Sequence, residues 1–284
     1  VNQETILGGG APSGYPLFNA PDSVAGDLQK VGFNVVNGST NHAHDQGASG
    51  ILHSIQVFNK YPRMTYLGLY KNEEEKQNIK IVKKNGIKIA FVSFNQYVNG
   101  VTYQEKLPYM INFHESTMME NMKKARENAD IVIVSCHWGI EYDYYPNIFQ
   151  KNMAKQLADA GADVIIGTHT HTLQDVEYIQ RADGKRTLVA YSLGNFVSGM
   201  LEESCQLEGM LSFDIEKKKI KNVVFTPLVN YYTLTGKRER HDFSVYRLKD
   251  YTNKLVEKHG FPNLTISHMK EEVKQKVKNI KIDM

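Results

Sequence analysis

The sequence predicts an α/β protein with mixed sheets, and three observations carry that reading. Continuous apolar, β-rich runs alternate with segments of helical period. Residues 206–230 break the alternation with two β-runs joined by a lysine-rich turn. Polar side chains suited to metals gather where the apolar runs end, which is where open α/β sheets bind ligands.

Taken in order, residues 22–31 have helical spacing and 33–40 (FNVVNGST) follow as a strand. A helix over 46–59 comes next, then strands over 87–95 (IKIAFVSFN) and 129–137 (ADIVIVSCH) separated by a helix over 115–128. These strands are apolar throughout rather than alternating, as expected where both faces are covered. The helix over 147–160 places Phe149, Met153, Ala154, Leu157 and Ala158 on one stripe, with Gly161 where a left-handed C-terminal glycine belongs. Strands over 162–169 (ADVIIGTH) and 186–192 (RTLVAYS) complete the alternating part. The 206–230 stretch reads as an antiparallel hairpin added to the sheet. From about residue 240 the chain is charged, with candidate helices over 244–259 and 266–280 split by Gly260-Phe261-Pro262, and reads as a peripheral extension.

With 284 residues, 41% hydrophobic and 23% charged, the chain can bury one large core, or one large domain plus a small appendage. A net charge of +3, from 34 basic against 31 acidic residues, is too balanced to argue for nucleic acid. The runs Lys217-Lys218-Lys219 and Lys237-Arg238-Glu239-Arg240 read as solvated turns rather than a phosphate-binding stripe. No apolar stretch approaches the ~18–20 residues that span a bilayer. Cys136 and Cys205 lack a CxxC neighbour, which argues against a zinc-thiolate or redox site. The opening Val1-Asn2-Gln3-Glu4-Thr5 has no initiator Met and no signal peptide, so the chain is expected to be N-terminally incomplete or processed, with any targeting segment upstream.

Four strand ends offer chemistry. Strand 33–40 runs into Asn41-His42-Ala43-His44-Asp45, 129–137 ends at His137-Trp138-Gly139, 162–167 at Thr168-His169-Thr170-His171, and 186–192 at Leu193-Gly194-Asn195-Phe196. Imidazole nitrogen with amide or carboxylate oxygen suits borderline divalent ions. Each feature also has a structural reading. His137 could be a hydrogen-bonded core histidine, Trp138 reads as wall or core, and His44 and Asp45 are placed to cap the helix that starts near Gln46. In an extended segment His169 and His171, two residues apart, would face the same way and reach one ion or two neighbouring ions.

The blocks NH-x-x-D-x-G (Asn41, His42, Asp45, Gly47), HWG-x-EY (His137 to Tyr142), AGADVIIGTHTH-x-LQ (Ala160 to Gln174) and YSLGNF (Tyr191 to Phe196) resemble the poly-γ-glutamate capsule-biosynthesis (CapA/PgsA) family. The N-x-E-T and F-N-A-P segments at Asn2 to Thr5 and Phe18 to Pro21 extend the likeness over roughly residues 1–230. That family is similar to calcineurin-like metallophosphatases. The resemblance implies a metallophosphatase-like α/β sandwich over 1–234, with a helical C-terminal extension over 235–284. It also implies Glu4, Asn41, His137, His169 and His171 as metal ligands, His42 as the catalytic group at the substrate oxyanion or leaving group, and Glu141 and Asn195 as substrate-binding or supporting groups. The implied cofactor is two divalent ions (Mn, Fe or Zn), not fully bound in this chain, because the family's leading Gly-Asp block would precede Val1. Thr40 stands where the family has Asn, and is not read as a ligand.

Two functions follow from the resemblance. One is a metal-dependent hydrolase cleaving a phosphoester or an envelope-polymer bond. The other is a non-enzymatic accessory protein that binds or exports an anionic polymer such as poly-γ-glutamate. Either implies membrane-bound capsule-synthesis partners and a place at the extracellular face of a bacterial membrane, held by an N-terminal segment absent from this sequence.

Overall fold

A computed structural model describes residues 1–101, 109–236, 239–261 and 263–284. Lys237 and Arg238 of the second basic run, and Pro262 of the predicted helix break, lie outside the described residues. The chain forms two compact units, Val1–Trp138 with Asp159–Val164, and Gly139–Ala158 with Ile165–Met284.

The first unit contains α1 (Ser23–Val31), β1 (Val35–Asn37), α2 (Gly47–Asn59), β2 (Thr65–Leu67), α3 (Glu73–Lys76), β3 (Lys80–Lys84), β4 (Ile87–Asn95), α4 (Ser116–Asn128) and β5 (Ile131–His137). Strand β1 pairs in parallel with β2, and β4 pairs antiparallel with β3 and parallel with β5. The register sets Asn95 opposite His137, so β4 and β5 end level and present their polar last residues together. Helix α2 buries Ile51, Ile55 and Phe58 in two apolar clusters, with Ile6, Leu69 and Met110 in one and Leu7, Val36 and Val57 in the other. The predicted strand over 33–40 is shorter than expected. Beyond Asn37 the backbone turns aside, with Gly38 N donating to Leu67 O at 3.0 Å and the Thr40 hydroxyl to Glu4 O at 2.8 Å.

The second unit contains α5 (Ile148–Asp159), whose last residue belongs to the first unit, and then β6 (Val164–Thr168), whose first residue also belongs to the first unit, β7 (Val176–Gln180), β8 (Arg186–Ala190), β9 (Leu207–Glu216), β10 (Lys219–Thr235), β11 (Glu239–Arg247), α6 (Asn253–His259), α7 (Ile266–Lys276) and β12 (Lys281–Ile282). Strand β8 lies between β6 and an antiparallel β7. The hairpin of β9 and β10 exists as predicted, with Lys217 and Lys218 at its left-handed turn. It does not extend the parallel sheet, however. It forms its own four-stranded sheet around β10, with β11 antiparallel and β12 parallel. Strand β9 alternates half-buried and exposed positions over Gly209–Glu216, the pattern of an antiparallel strand with one wet face.

Residues 239–247 are a strand where the charge pattern predicted a helix from 244. Long-range pairing with β10 overrides local propensity there. The C-terminal segment also enters a core. Leu248, Tyr251, Phe261, Leu264, Met269, Val273 and Val277 are buried in one cluster with Phe225, Val229 and Tyr231 of β10. Thr252 and Thr265 cap α6 and α7 through their hydroxyls, and Gly260 ends α6 in the left-handed conformation.

Candidate functional site

In the first unit the motif residues converge from the N-terminal segment, the β1–α2 loop and the end of β5. Residues 1–4 run beside β1, with Gln3 N donating to Asn37 O at 2.8 Å and Asn37 N to Val1 O at 2.9 Å. A polar chain then orients Glu4. Ser93 Oγ donates to Asn37 Oδ1 at 2.6 Å, Asn37 Nδ2 to Asn2 Oδ1 at 2.8 Å, and Asn2 Nδ2 to Glu4 Oε2 at 2.7 Å. The other oxygen, Glu4 Oε1, lies 3.5 Å from Nε2 of the buried His137, which in turn is 2.9 Å from Asn41 Oδ1. One nitrogen and two oxygens thus face one another in a mostly buried setting, a donor set that fits Zn, Mn or Fe.

His42 is held separately. Its Nδ1 donates to Asp45 Oδ2 at 2.7 Å, and the same carboxylate oxygen accepts from Phe18 N at 2.9 Å. Phe18 packs edge-on against the imidazole at 4.7 Å. Holding Nδ1–H fixes the tautomer, which leaves Nε2 as the working nitrogen. Asp45 therefore does not cap α2, contrary to the sequence expectation. The helix begins after Gln46 with no side-chain cap, and the Asp45 carboxylate is consumed by His42 and Phe18. Thr40 does not ligate here; it fixes the Glu4 carbonyl. Trp138 is core, stacked on Phe113 at 5.8 Å.

In the second unit His169 and His171 approach through a turn, not through strand alternation. Both have positive φ, 99° and 62°, so the expectation of an extended segment fails. Their ring centroids lie 6.2 Å apart. Tyr142 also has positive φ, 69°; its amide donates to Thr170 O at 2.8 Å and its ring lies 6.2 Å from His171. Such backbone costs about 1–3 kcal/mol per residue and persists only where neighbours hold it. His171 Nδ1 donates to Asn195 Oδ1 at 2.9 Å, which directs Nε2 outward as in a metal ligand with an oriented tautomer. Asn195 follows Gly194, a left-handed glycine where a Cβ would come within 3.1 Å of Leu207 O.

The remaining motif residues are scaffold. Gln150 Nε2 donates to Gln174 Oε1 at 2.8 Å, while Gln174 Nε2 and Thr172 Oγ1 both donate to Asp143 O, at 2.9 and 2.6 Å. Glu141 is half-buried, and its negative charge adds to the burial that pushes the Cys205 thiol up to about 12. Burial likewise raises the Cys136 thiol well above its usual range, so neither cysteine offers a thiolate at neutral pH.

The profile of the family described as "Bacterial capsule synthesis protein PGA_cap" matches residues 1–200. The chain belongs to that family. Among its relatives, the capsule biosynthesis protein CapA of Bacillus anthracis is 34% identical over 185 residues, 63% of this chain and 44% of that protein. The PGA biosynthesis protein CapA of Bacillus subtilis (strain 168) is 30% identical over 202 residues, 71% of this chain and 52% of that one. The chain thus spans about half the length of the curated relatives it matches. Among solved structures, it is similar to the NAD nucleotidase NadN of Haemophilus influenzae, with 14% identity, a TM-score of 0.44, and coverage of 92% of this chain and 50% of that one. It is also similar to the sulfate thiohydrolase SoxB of Thermus thermophilus, with 15% identity, a TM-score of 0.47, and coverage of 89% and 39%.

Sequence reasoning missed several contributors to these clusters. Asp45 was visible but given the wrong partner, and Tyr142 stood in a quoted motif with no role attached. Asn2 stood in the N-x-E-T block with no role attached, and Asn37 and Ser93 carry no signal of their own, because their function is a hydrogen-bond chain between segments distant in sequence.

Proposed function

We propose that this member of the capsule synthesis family is a metal-dependent hydrolase of metallophosphatase type, acting on a phosphoester or on a bond of an anionic envelope polymer. The observation that supports it most is the unit-one cluster, where His137 Nε2, Asn41 Oδ1 and Glu4 Oε1 converge beside an independently oriented His42–Asp45 pair. Glu4, Asn41 and His137 are the candidate ligands of the first unit, and His169 and His171 are those of the second. Paired divalent ions, when bound, would lower the pKa of a coordinated water and stabilise developing oxyanion charge. The chain's own residues account for the rest. Asn2 and Asn37 hold Glu4 in place, Asn195 holds His171, and Asp45 fixes the His42 tautomer so that Nε2 is free to accept a proton and then pass that proton to a leaving oxygen.

The names of the Bacillus relatives support capsule polymer synthesis as the physiological context; poly-γ-glutamate as the polymer, envelope-bound synthesis partners and a place at the outer face of a membrane are part of the proposal. Among the described residues no helix is long and apolar enough to cross a membrane.

The test is metal content by elemental mass spectrometry, together with turnover of chromogenic phosphoesters and of poly-γ-glutamate. Wild-type protein is expected to take up Mn, Fe or Zn and to show turnover that a chelator removes. The His169→Ala/His171→Ala variant is expected to lose both. Turnover unaffected by that variant sinks the reading. Salt-sensitive polymer binding with no hydrolysis in the wild type would move the protein to the accessory role.

A further inference from the structure

The two strained turns of the second unit share one fastening. Tyr142, His169 and His171 hold left-handed backbone, which is uncommon for any residue other than glycine. Lys276, the last residue of α7, is buried, with its side chain 3% exposed. Its Nζ donates to Tyr144 O at 2.6 Å and to Leu173 O at 2.6 Å. Glu272 Oε1 lies 3.5 Å away, and the Tyr144 and Tyr145 rings cover the ammonium at 4.9 and 5.1 Å. Tyr144 comes two residues after Tyr142, and Leu173 two residues after His171. One cation therefore ties the turn that carries Tyr142 to the turn that carries both histidines.

The residues after Lys276 extend the grip. Val277 bridges Val176, Lys278 N donates to Val176 O at 2.9 Å, and Lys278 Nζ pairs with Asp175 Oδ2 at 2.6 Å. All of these partners lie within five residues of His171. A hydrophobic side chain at 276 could fill the same space but could not bond two carbonyls of two different turns. Burying an ammonium is unfavourable unless its protons are used, and here two are given to backbone oxygens that shape the motif. The family profile ends at residue 200, so this clasp comes from outside the part that the profile describes.

We propose that Lys276 is a positioning residue for the His169–His171 turn, so that α7 and the residues after it belong to the metal-holding machinery. The proposal rests on the metal reading given above, and the experiment separates the two. Hydrogen exchange and cobalt titration, followed by visible absorption, are run on the full chain as wild type, Lys276→Met, Lys276→Gln and Lys276→Arg. Lys276→Met is expected to speed exchange at least tenfold in 140–146 and 170–174 while β9 and β10 stay protected. It is also expected to weaken cobalt binding by about 10–100-fold and to alter its spectrum. Lys276→Arg, which keeps the charge and donors, restores much of both. Lys276→Gln, which keeps one donor group, takes the place of Lys276→Met if that variant does not fold. Unchanged exchange in the two turns, or exchange raised equally across the unit, overturns the proposal. So does a loosened turn that binds cobalt with wild-type affinity and spectrum. If the wild type takes up no cobalt, the metal reading falls, and the exchange data alone still decide whether Lys276 holds the turns.

Discussion

Two acidic residues show how differently a carboxyl can be used. The Asp45 side chain is buried yet fully employed, accepting from His42 Nδ1 and Phe18 N. Replacing it with Asn leaves the shape intact but weakens the acceptor that holds His42 Nδ1. Asp45→Asn and His42→Ala are each expected to lower turnover by about 10²–10⁴-fold with metal content unchanged, as measured by steady-state kinetics and elemental analysis. A parallel loss of metal would show that His42 is part of the coordination instead. Glu208 is the opposite case. It is fully buried on β9, and neither oxygen has a hydrogen-bond partner among the described residues. Burial raises its carboxyl well above the usual range. A folded pKa above the unfolded one means a stability contribution complete below about pH 4.5 and lost as pH rises. Glu208→Gln is therefore expected to melt higher than wild type at pH 7–8, with the gap closing near pH 4. A gap that does not change with pH would show that ionisation is not the cause.

At the scale of elements, the turn after β5 is tightly constrained. Gly139 has φ 95°, and a Cβ there would lie 2.9 Å from both Gln150 Cδ and Thr170 Cγ2. Gly139→Ala combines left-handed strain with collisions against two scaffold residues of the motif. It is expected to cost about 1–3 kcal/mol of stability in denaturant unfolding, and to disturb the His169–His171 turn through Thr170. A neutral result would mean that the turn relaxes freely. The elements themselves were largely legible. Strand β4 matches its predicted span, and α1, α2, α4, α5, β5 and β6 begin and end within about two residues of their predicted bounds, because period and glycine punctuation are local properties. Strands β2, β3, β7, β11 and β12 were not read. They are short, or edge, or charged, and they exist because a partner strand pairs with them.

At the scale of the molecule, the C-terminal 45 residues complete a core rather than decorate one. His259 sits in it, 1% exposed, with Nδ1 2.8 Å from the Tyr251 hydroxyl and the Phe261 ring edge-on at 4.8 Å. Burial lowers its pKa to about 4. A depressed histidine is bound neutral in the fold, so its contribution is present above about pH 6.5 and is lost as pH falls toward 4. The melting temperature is expected to drop across that window, and His259→Phe to flatten the drop. An identical profile for the variant would assign the acid sensitivity to other groups.

By itself the sequence determined the α/β class, the order of the motif blocks and which strand ends carry imidazole and amide groups. These depend on local period and on residue chemistry, which a chain displays before it folds. Only the tertiary structure decided that His169 and His171 meet through left-handed backbone, that Asp45 serves His42 instead of a helix end, and that Lys276 reaches back 103 residues to Leu173. Each depends on contacts between segments far apart in the chain, and their energies have no trace in local pattern.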